Sequence, residues 1–263
     1  MFSTFSSIFT QFYNSTTTLY RTLPSLCPIC QLPQSGSLLC DCCYSILAQT
    51  EAGCFQCAEP LPLCLDLRSK VDNNLPPIRC GRCQKVPPAF DQVIAQLAYQ
   101  EPLSKLIQQY KFSHQLRLIP CLTDCIIKQI EYSLENGYQL PDALVAVPLH
   151  RHRLRQRGFN QSLLLANRVS KHFQIPLLKQ LVIRTKKTGE QATLKRKHRI
   201  RNIYNAFETT QNFQEDISDV NKLAIIDDVI TSGSTCNELA RILKKAGIIF
   251  VDIWCIAKTP FIK

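Results

Sequence analysis

Leu223-Ala224-Ile225-Ile226-Asp227-Asp228-Val229-Ile230-Thr231-Ser232-Gly233-Ser234-Thr235 carries the strongest signal in the chain. Four apolar residues read as a buried strand that ends in two adjacent carboxylates. A loop of small hydroxyl residues around one glycine follows. Leu239, Ile242, Leu243 and Ala246 then mark the face of a helix that Gly247 stops. Open parallel sheets present ligands at the carboxyl ends of their strands. Backbone N–H groups at a helix N-terminus, joined by Ser and Thr hydroxyls, form a cradle for phosphate. Gly233 removes the side chain that would block close approach. Carboxylates just before such a cradle accept hydrogen bonds from sugar hydroxyls or hold a divalent ion through water. The parts together fit a ribose 5-phosphate, with the sugar over Asp227 and Asp228 and the phosphate held by Thr231, Ser232, Gly233, Ser234 and Thr235. The alternative is a capped helix after a strand, with both acids merely solvated. Two acids at the mouth of a buried strand are costly without a role, which weighs against it. The stretch lacks the Gly-Lys-Ser/Thr of a Walker loop and the Gly-x-Gly-x-x-Gly of a dinucleotide site.

Around it the chain alternates strands and helices after residue 90. Val93–Tyr99, Leu181–Thr185, Leu223–Ile226 and Ile248–Ala257 read as strands, and Leu144–Leu149 is a short apolar run that contains Pro148. Pro102–Lys111 and Leu116–Leu134 read as helices, and Phe159, Leu163, Ala166, Val169 and Phe173 mark another helix face. This order predicts an α/β fold with a mostly parallel sheet and helices on both faces. A hydrophobic content of 45% over 263 residues excludes a disordered chain, and 15 Pro with 8 Gly exclude a collagen-like one.

The 14 cysteines are clustered: ten lie between Cys27 and Cys83. Eight form the Cys-x-x-Cys pairs Cys27/Cys30, Cys40/Cys43, Cys54/Cys57 and Cys80/Cys83. Two Cys separated by two residues reach one ion from a tight turn, and two such turns close a tetrahedral zinc site. Sequential pairing gives one structural zinc on Cys27, Cys30, Cys40 and Cys43, and a second on Cys54, Cys57, Cys80 and Cys83. Interleaved pairing of the first pair with the third is the other arrangement. Cys42 competes with its neighbours, and Cys64 is spare. Residues 1–26 carry Phe5, Ile8, Phe9 and Phe12 at helical spacing, without the basic start and unbroken apolar core of a secretory signal. No run of about 18 apolar residues predicts a transmembrane segment. The expected location is the cytoplasm, where thiols stay reduced and metal is favoured over disulfide.

The net charge of +11 is also local. Residues 151–201 hold 15 of the 31 Lys and Arg and one of the 20 acids. One basic run is Arg151, Arg153, Arg155 and Arg157, in the loop after Leu144–Leu149. The other carries Lys186, Lys187, Lys195, Arg196, Lys197, Arg199 and Arg201. A charged face bathed in solvent is the ordinary fate of such runs. So dense a block points instead to a polyanion. Tyr204 and Phe207 could add stacking, or belong to the core. No Ser/His/Asp triad is visible, and His114, His172 and His198 have no evident partners.

The stretch 223–235 resembles the phosphoribosyl-pyrophosphate signature of type I phosphoribosyltransferases. Val147-Pro148-Leu149 with Arg157-Gly158-Phe159-Asn160-Gln161-Ser162 is similar to the competence protein F (ComF) family. So is Arg184-Thr185…Thr188…Gln191…Leu194…Arg199…Asn202…Ala206-Phe207, as are the leading Cys-x-x-Cys pairs. The resemblance covers about residues 27–259. It implies a tail or helix over 1–26, a double zinc ribbon over 27–90 and a phosphoribosyltransferase-like domain over 91–263. It implies that Asp227 and Asp228 meet the ribose hydroxyls with Mg²⁺ nearby, and that Arg153 and Arg157 meet pyrophosphate or DNA. The second basic run matches the family's mobile catalytic loop in position. The implied role is DNA uptake in natural transformation, with single-stranded DNA on the basic runs and uptake-machinery proteins as partners. An active phosphoribosyltransferase with an amine or nucleobase acceptor, and a sensor of phosphoribosyl pyrophosphate without turnover, are the alternatives.

Overall fold

The structure is a computed structural model that describes residues 25–34, 39–47, 53–61, 78–113, 115–186 and 203–259. The helix expected within 1–26, Cys64, His114, His198 and Lys187, Lys195, Arg196, Lys197, Arg199 and Arg201 lie outside the described residues. The elements in chain order are β1 (Ser25–Leu26), β2 (Pro33–Gln34), α1 (Asp41–Ser45), α2 (Gly81–Lys85), β3 (Gln92–Ile94), α3 (Leu103–Phe112), a 3-10 turn (Leu116–Leu118) and α4 (Ile119–Glu135). They continue with β4 (Ala143–Ala146), α5 (Arg151–Arg157), α6 (Gln161–Phe173), β5 (Val182–Arg184), β6 (Phe207–Thr209), α7 (Phe213–Asp216), β7 (Lys222–Ile230), α8 (Ser234–Lys245) and β8 (Phe250–Lys258).

Four strands form a wholly parallel sheet in the order β3-β8-β7-β4. Continuous apolar runs such as Leu223–Ile226 suit strands covered on both faces. Successive side chains alternate between two cores. Leu144, Ala224, Ile226, Trp254 and Ile256 meet α3, α4 and α6 through Ile107, Leu122, Ile126 and Leu165. Val145, Leu223, Ile225, Ile253 and Cys255 meet α8 through Leu239, Ala240 and Leu243, together with Val182 and Phe207 of the β5–β6 pair. The cysteine turns divide between these cores. Cys27, Leu39, Cys43 and Leu47 join the first, and Cys54, Cys57 and Cys83 join the second. The first tetrad thus joins the core on one face of the sheet, and the second joins the core on the other. Among the described residues no helix is long and apolar enough to cross a membrane.

Four expectations change. The strand over Leu181–Thr185 shortens to β5 and pairs antiparallel with β6, outside the main sheet. The strand over Val93–Tyr99 shortens to β3, because the N–H groups of Gln96 and Leu97 turn to the Gln129 side chain of α4. The apolar strand does not stop at Ile226. β7 runs on to Ile230 because β8 is equally long and keeps its register through Asp227↔Cys255 and Ile230↔Lys258. The arginine loop is the helix α5. His150 caps it by accepting the His152 N–H on Nδ1 at 3.2 Å, and Gly158 ends it at φ +71°.

Candidate anion site and cysteine tetrads

Pairing of β4 with β7 ends at Ala146↔Ile226, so β7 outruns β4 by the segment that holds the acids. Asp227 and Asp228 thus sit on a strand fixed along β8 and open towards the β4 side. Both carboxylates serve the unpaired edge. Asp227 Oδ1 accepts the Asp228 N–H at 2.9 Å, and Asp228 Oδ1 accepts the Val229 N–H at 2.6 Å. Ser162, on the first turn of α6, donates its hydroxyl to Asp227 Oδ1 at 3.0 Å. Lys111, near the end of α3, places Nζ 2.8 Å from Asp228 Oδ1.

These contacts set the charge of the site. Burial and the neighbouring Asp228 charge raise the Asp227 carboxyl from 3.8 to about 7, against the pull of Lys111 and of the hydrogen bonds. Burial opposes the Lys111 charge, but Asp228 outweighs it and holds the ammonium above its ordinary value. Arg184 of β5 is buried, and its guanidinium lies over the Phe207 ring at 5.5 Å. Burial and Arg153 lower its pKa to about 10, while Asp227 supports its charge. The acid pair therefore has Lys111 in contact and Arg184 within electrostatic reach.

The loop Thr231–Gly233 leads into α8. Gly233 holds φ +73° at the N-cap, where an L side chain is strained, and gives no side-chain cap. Ser232 and Ser234 hydroxyls lie 2.8 Å apart, and the Asn237 N–H closes on the Gly233 carbonyl at 2.8 Å. The first-turn amides of a twelve-residue helix thus follow the acids after the end of β7 and this short loop.

The basic segment is sorted by helical geometry. On α5, residues four apart share a face. Arg153 and Arg157 are partly buried, whereas Arg151 and Arg155 are exposed. Arg157 lies over the ring of Phe112, 5.2 Å from its centroid, and Phe112 is 62% exposed. Lys186 is exposed and donates to the Tyr204 carbonyl at 3.0 Å. Of the two aromatics singled out in the sequence, Phe207 is core, while Tyr204 is exposed beside Arg241. His172 has a partner after all, Glu131 at 3.1 Å on the surface.

The eight cysteines assemble in the sequential pairing, and the interleaved one is excluded. In each tetrad the four Sγ atoms lie within 4.8 Å of one another. Zinc–sulfur bonds of about 2.3 Å in a tetrahedron put the sulfurs about 3.8 Å apart. Cys30 and Cys40 are 3.7 Å apart, as are Cys57 and Cys80. Backbone amides support thiolates: Cys43 N–H points at Cys40 Sγ, and Cys80 N–H at Cys54 Sγ. Burial works against the Cys27 thiolate, but the N–H groups of Cys30, Cys40 and Ile29 overcome it and bring its pKa to about 6. Both tetrads fit zinc. Cys42 is exposed and stands outside them.

Ser162 and Arg184 stand inside the motifs that carry the family resemblance, but no role is assigned to them there, and Lys111 and Phe112 lie outside those motifs. Their contacts at the mouth of the site join segments far apart in the chain, which no local spacing announces.

No protein-family model matches the chain. It is 33% identical to the DNA utilization protein YhgH of Escherichia coli K12 over 241 residues, covering 90% of this chain and 99% of that protein. It is 33% identical to competence protein F of Haemophilus influenzae over 208 residues, 79% of this chain and 89% of that protein. Competence protein ComFC of Bacillus subtilis is 24% identical over 238 residues, 80% of this chain and 89% of that protein.

Proposed function

This chain belongs to the family of competence protein F and DNA utilization protein YhgH, and from that premise we propose that it handles single-stranded DNA in the cytoplasm beside a site for a phosphoribosyl ligand. The observation that carries the reading is the convergence of three features at one end of the sheet. These are the Asp227–Asp228 pair, the Thr231–Thr235 loop and the basic helix α5.

Each part has its own task. The helix N-terminus and the hydroxyls of Thr231, Ser232, Ser234 and Thr235 receive a 5-phosphate. Asp227 and Asp228 accept ribose hydroxyls. Arg153 and Arg157, facing inward, meet a diphosphate with forked hydrogen bonds. Asp227 and Asp228 are also the residues that would hold Mg²⁺, which would neutralise ligand phosphates. Lys111 already supplies one positive charge at Asp228, so an ion would share the acid pair with that ammonium, and oxygens of the ligand would complete its donors. Arg151 and Arg155 on the outer face of α5 follow a strand's phosphates, and exposed Phe112 offers a ring for a base. Lys187, Lys195, Arg196, Lys197, Arg199 and Arg201 add six more positive charges to the same basic stretch of the sequence.

The test is a salt titration of fluorescent single-stranded DNA binding to wild type and to the double variant Arg151→Glu, Arg155→Glu. Two lost phosphate contacts lower the log–log salt slope by about 1.4 and weaken binding at least about tenfold at low salt. An unchanged slope and affinity would remove the basis for the reading. A second reading, transfer of the phosphoribosyl group with release of pyrophosphate, is favoured by the acid pair standing next to the loop. It requires that Asp227→Asn with Asp228→Asn abolish pyrophosphate release while DNA binding survives.

A further inference from the structure

The turn that carries the second tetrad is linked to the loop along two routes, each through one intervening residue or segment. Lys258, the last residue of β8, has a side chain only 2% exposed. Its Nζ donates to the carbonyls of Thr231, at 3.0 Å, and Thr259, at 2.9 Å. It also lies 3.1 Å from Glu59 Oε2. A buried ammonium requires a counter-charge, and here Glu59 brings one from the cysteine-rich segment. Glu59 stands two residues after Cys57, in the turn that aims Cys54 and Cys57 at one point. In that turn Cys54 N–H donates to the Glu59 carbonyl at 2.7 Å, Ala58 N–H donates to the Cys54 carbonyl at 2.8 Å, and Ala58 holds φ +55°.

The other contact runs through Phe90. Gln56, inside the same turn, donates Nε2 to the Phe90 carbonyl at 3.1 Å. The neighbouring Ala89 N–H donates to Asn237 Oδ1 in the first turn of α8 at 2.7 Å. A Cβ on Gly233 would stand 3.7 Å from the Phe90 ring. The turn at Cys54–Glu59 thus holds both the first carbonyl of the loop and the helix that follows it. The first tetrad is placed differently, on α4, where Asp41 pairs with Lys128 at 2.9 Å.

We propose that the second tetrad, closed by zinc, braces the Thr231–Thr235 loop, and that Lys258 is the positioning residue that transmits the brace. Zinc on Cys54, Cys57, Cys80 and Cys83 fixes the turn that carries Glu59. Glu59 fixes the Lys258 ammonium, and the ammonium fixes the Thr231 carbonyl. The use of this brace rests on the reading of the loop as an anion site; its mechanics do not. The two zinc sites therefore have unequal roles, one covering α4 and one shaping the phosphate cradle.

The test compares full-length wild type with Cys80→Ser, Cys30→Ser, Glu59→Gln and Lys258→Met. It measures zinc content, backbone hydrogen exchange and binding of phosphoribosyl pyrophosphate by calorimetry. Glu59→Gln keeps two zinc ions, so it reports on the brace even where Cys80→Ser fails to fold. Glu59→Gln, Lys258→Met and Cys80→Ser should speed exchange of the amides over 231–236 by about tenfold or more. They should leave α6 unchanged and weaken the ligand by a similar factor. Cys30→Ser should lose one zinc and keep wild-type exchange at the loop. Wild-type loop exchange in Glu59→Gln and Lys258→Met overturns the proposal, and so does an equal disturbance in Cys30→Ser. Faster loop exchange in a protein whose wild type binds no ligand upholds the brace and removes the anion-site reading. Faster loop exchange with unchanged ligand binding in every variant keeps the brace as mechanics and overturns its role in shaping a phosphate cradle.

Discussion

Replacing Asp227 by Asn should stabilise the unliganded protein, and by an amount that depends on pH. Burial and Asp228 raise the Asp227 carboxyl from 3.8 to about 7. The folded state therefore holds a proton there that the unfolded chain has released. Stability attached to this group is complete below about pH 4, falls as pH rises, and is lost above about pH 7. A rise from 3.8 to about 7 corresponds to about 4 kcal/mol at about 1.4 kcal/mol per pH unit. That figure is a ceiling, because part of Asp227 faces the open mouth and Lys111 lies close. Asn keeps an oxygen for the Ser162 hydroxyl and the Asp228 N–H, so the contacts survive while the pH-dependent cost disappears. The assay is thermal unfolding of wild type and variant side by side in excess zinc between pH 5.5 and 8.5, so that the pH dependence of zinc binding to the cysteines cancels in the difference. The variant's advantage should grow by about 2 kcal/mol from pH 5.5 to 7 and then level off. For a chain of this size that is a shift of several degrees in Tm. An advantage that does not change with pH would refute the argument. A variant that loses ground as pH rises would show instead that Lys111 keeps Asp227 ionised.

Three further outcomes follow from other parts of the molecule. Metal analysis should find about two zinc per chain, and chelation should lower Tm, since metal binding contributes to folding in such sites; an unchanged Tm after complete zinc removal would contradict this. Lys111→Met leaves the Asp228 carboxylate without its ammonium and should cost about 2–3 kcal/mol, with most of the loss recovered in Lys111→Met, Asp228→Asn. Additive losses in that cycle would mean that the 2.8 Å pair contributes nothing of its own. Phe112→Ala should weaken single-stranded DNA binding by about fivefold or more, the effect of about 1 kcal/mol of base stacking. Equal binding of an abasic strand by wild type would deny the ring that role.

The features legible in the sequence are those whose signal is local. Cys-x-x-Cys is a contact between neighbours in a turn, so four repeats announce two tetrads. The order strand, two acids, small-residue loop and helix is likewise contained in thirteen residues. α5 was hidden, since Arg151–Arg157 has no apolar stripe and Leu154 is 41% exposed. Its helix rests on the His150 and Gly158 caps and on the helix tolerance of Arg. The length of β7 was hidden because polar acids look like a strand end, whereas the neighbouring β8 carries the ladder through them. Lys111–Asp228 and Glu59–Lys258 join residues far apart in the chain. Only the folded packing brings those pairs together.

The placement of the two tetrads on opposite cores governs how the chain can be divided. Removing everything before residue 91 would uncover α4 around Cys121, Cys125 and Lys128 on one side. On the other it would uncover the surface around Val93 and Cys236. Two sticky faces pointing in opposite directions do not close into a dimer; they allow each molecule to stack on the next without end. The cysteine-rich segment is in this sense a clasp around both sides of the sheet. The remaining α/β portion, expressed alone, should precipitate or form open arrays rather than behave as a smaller version of the same protein.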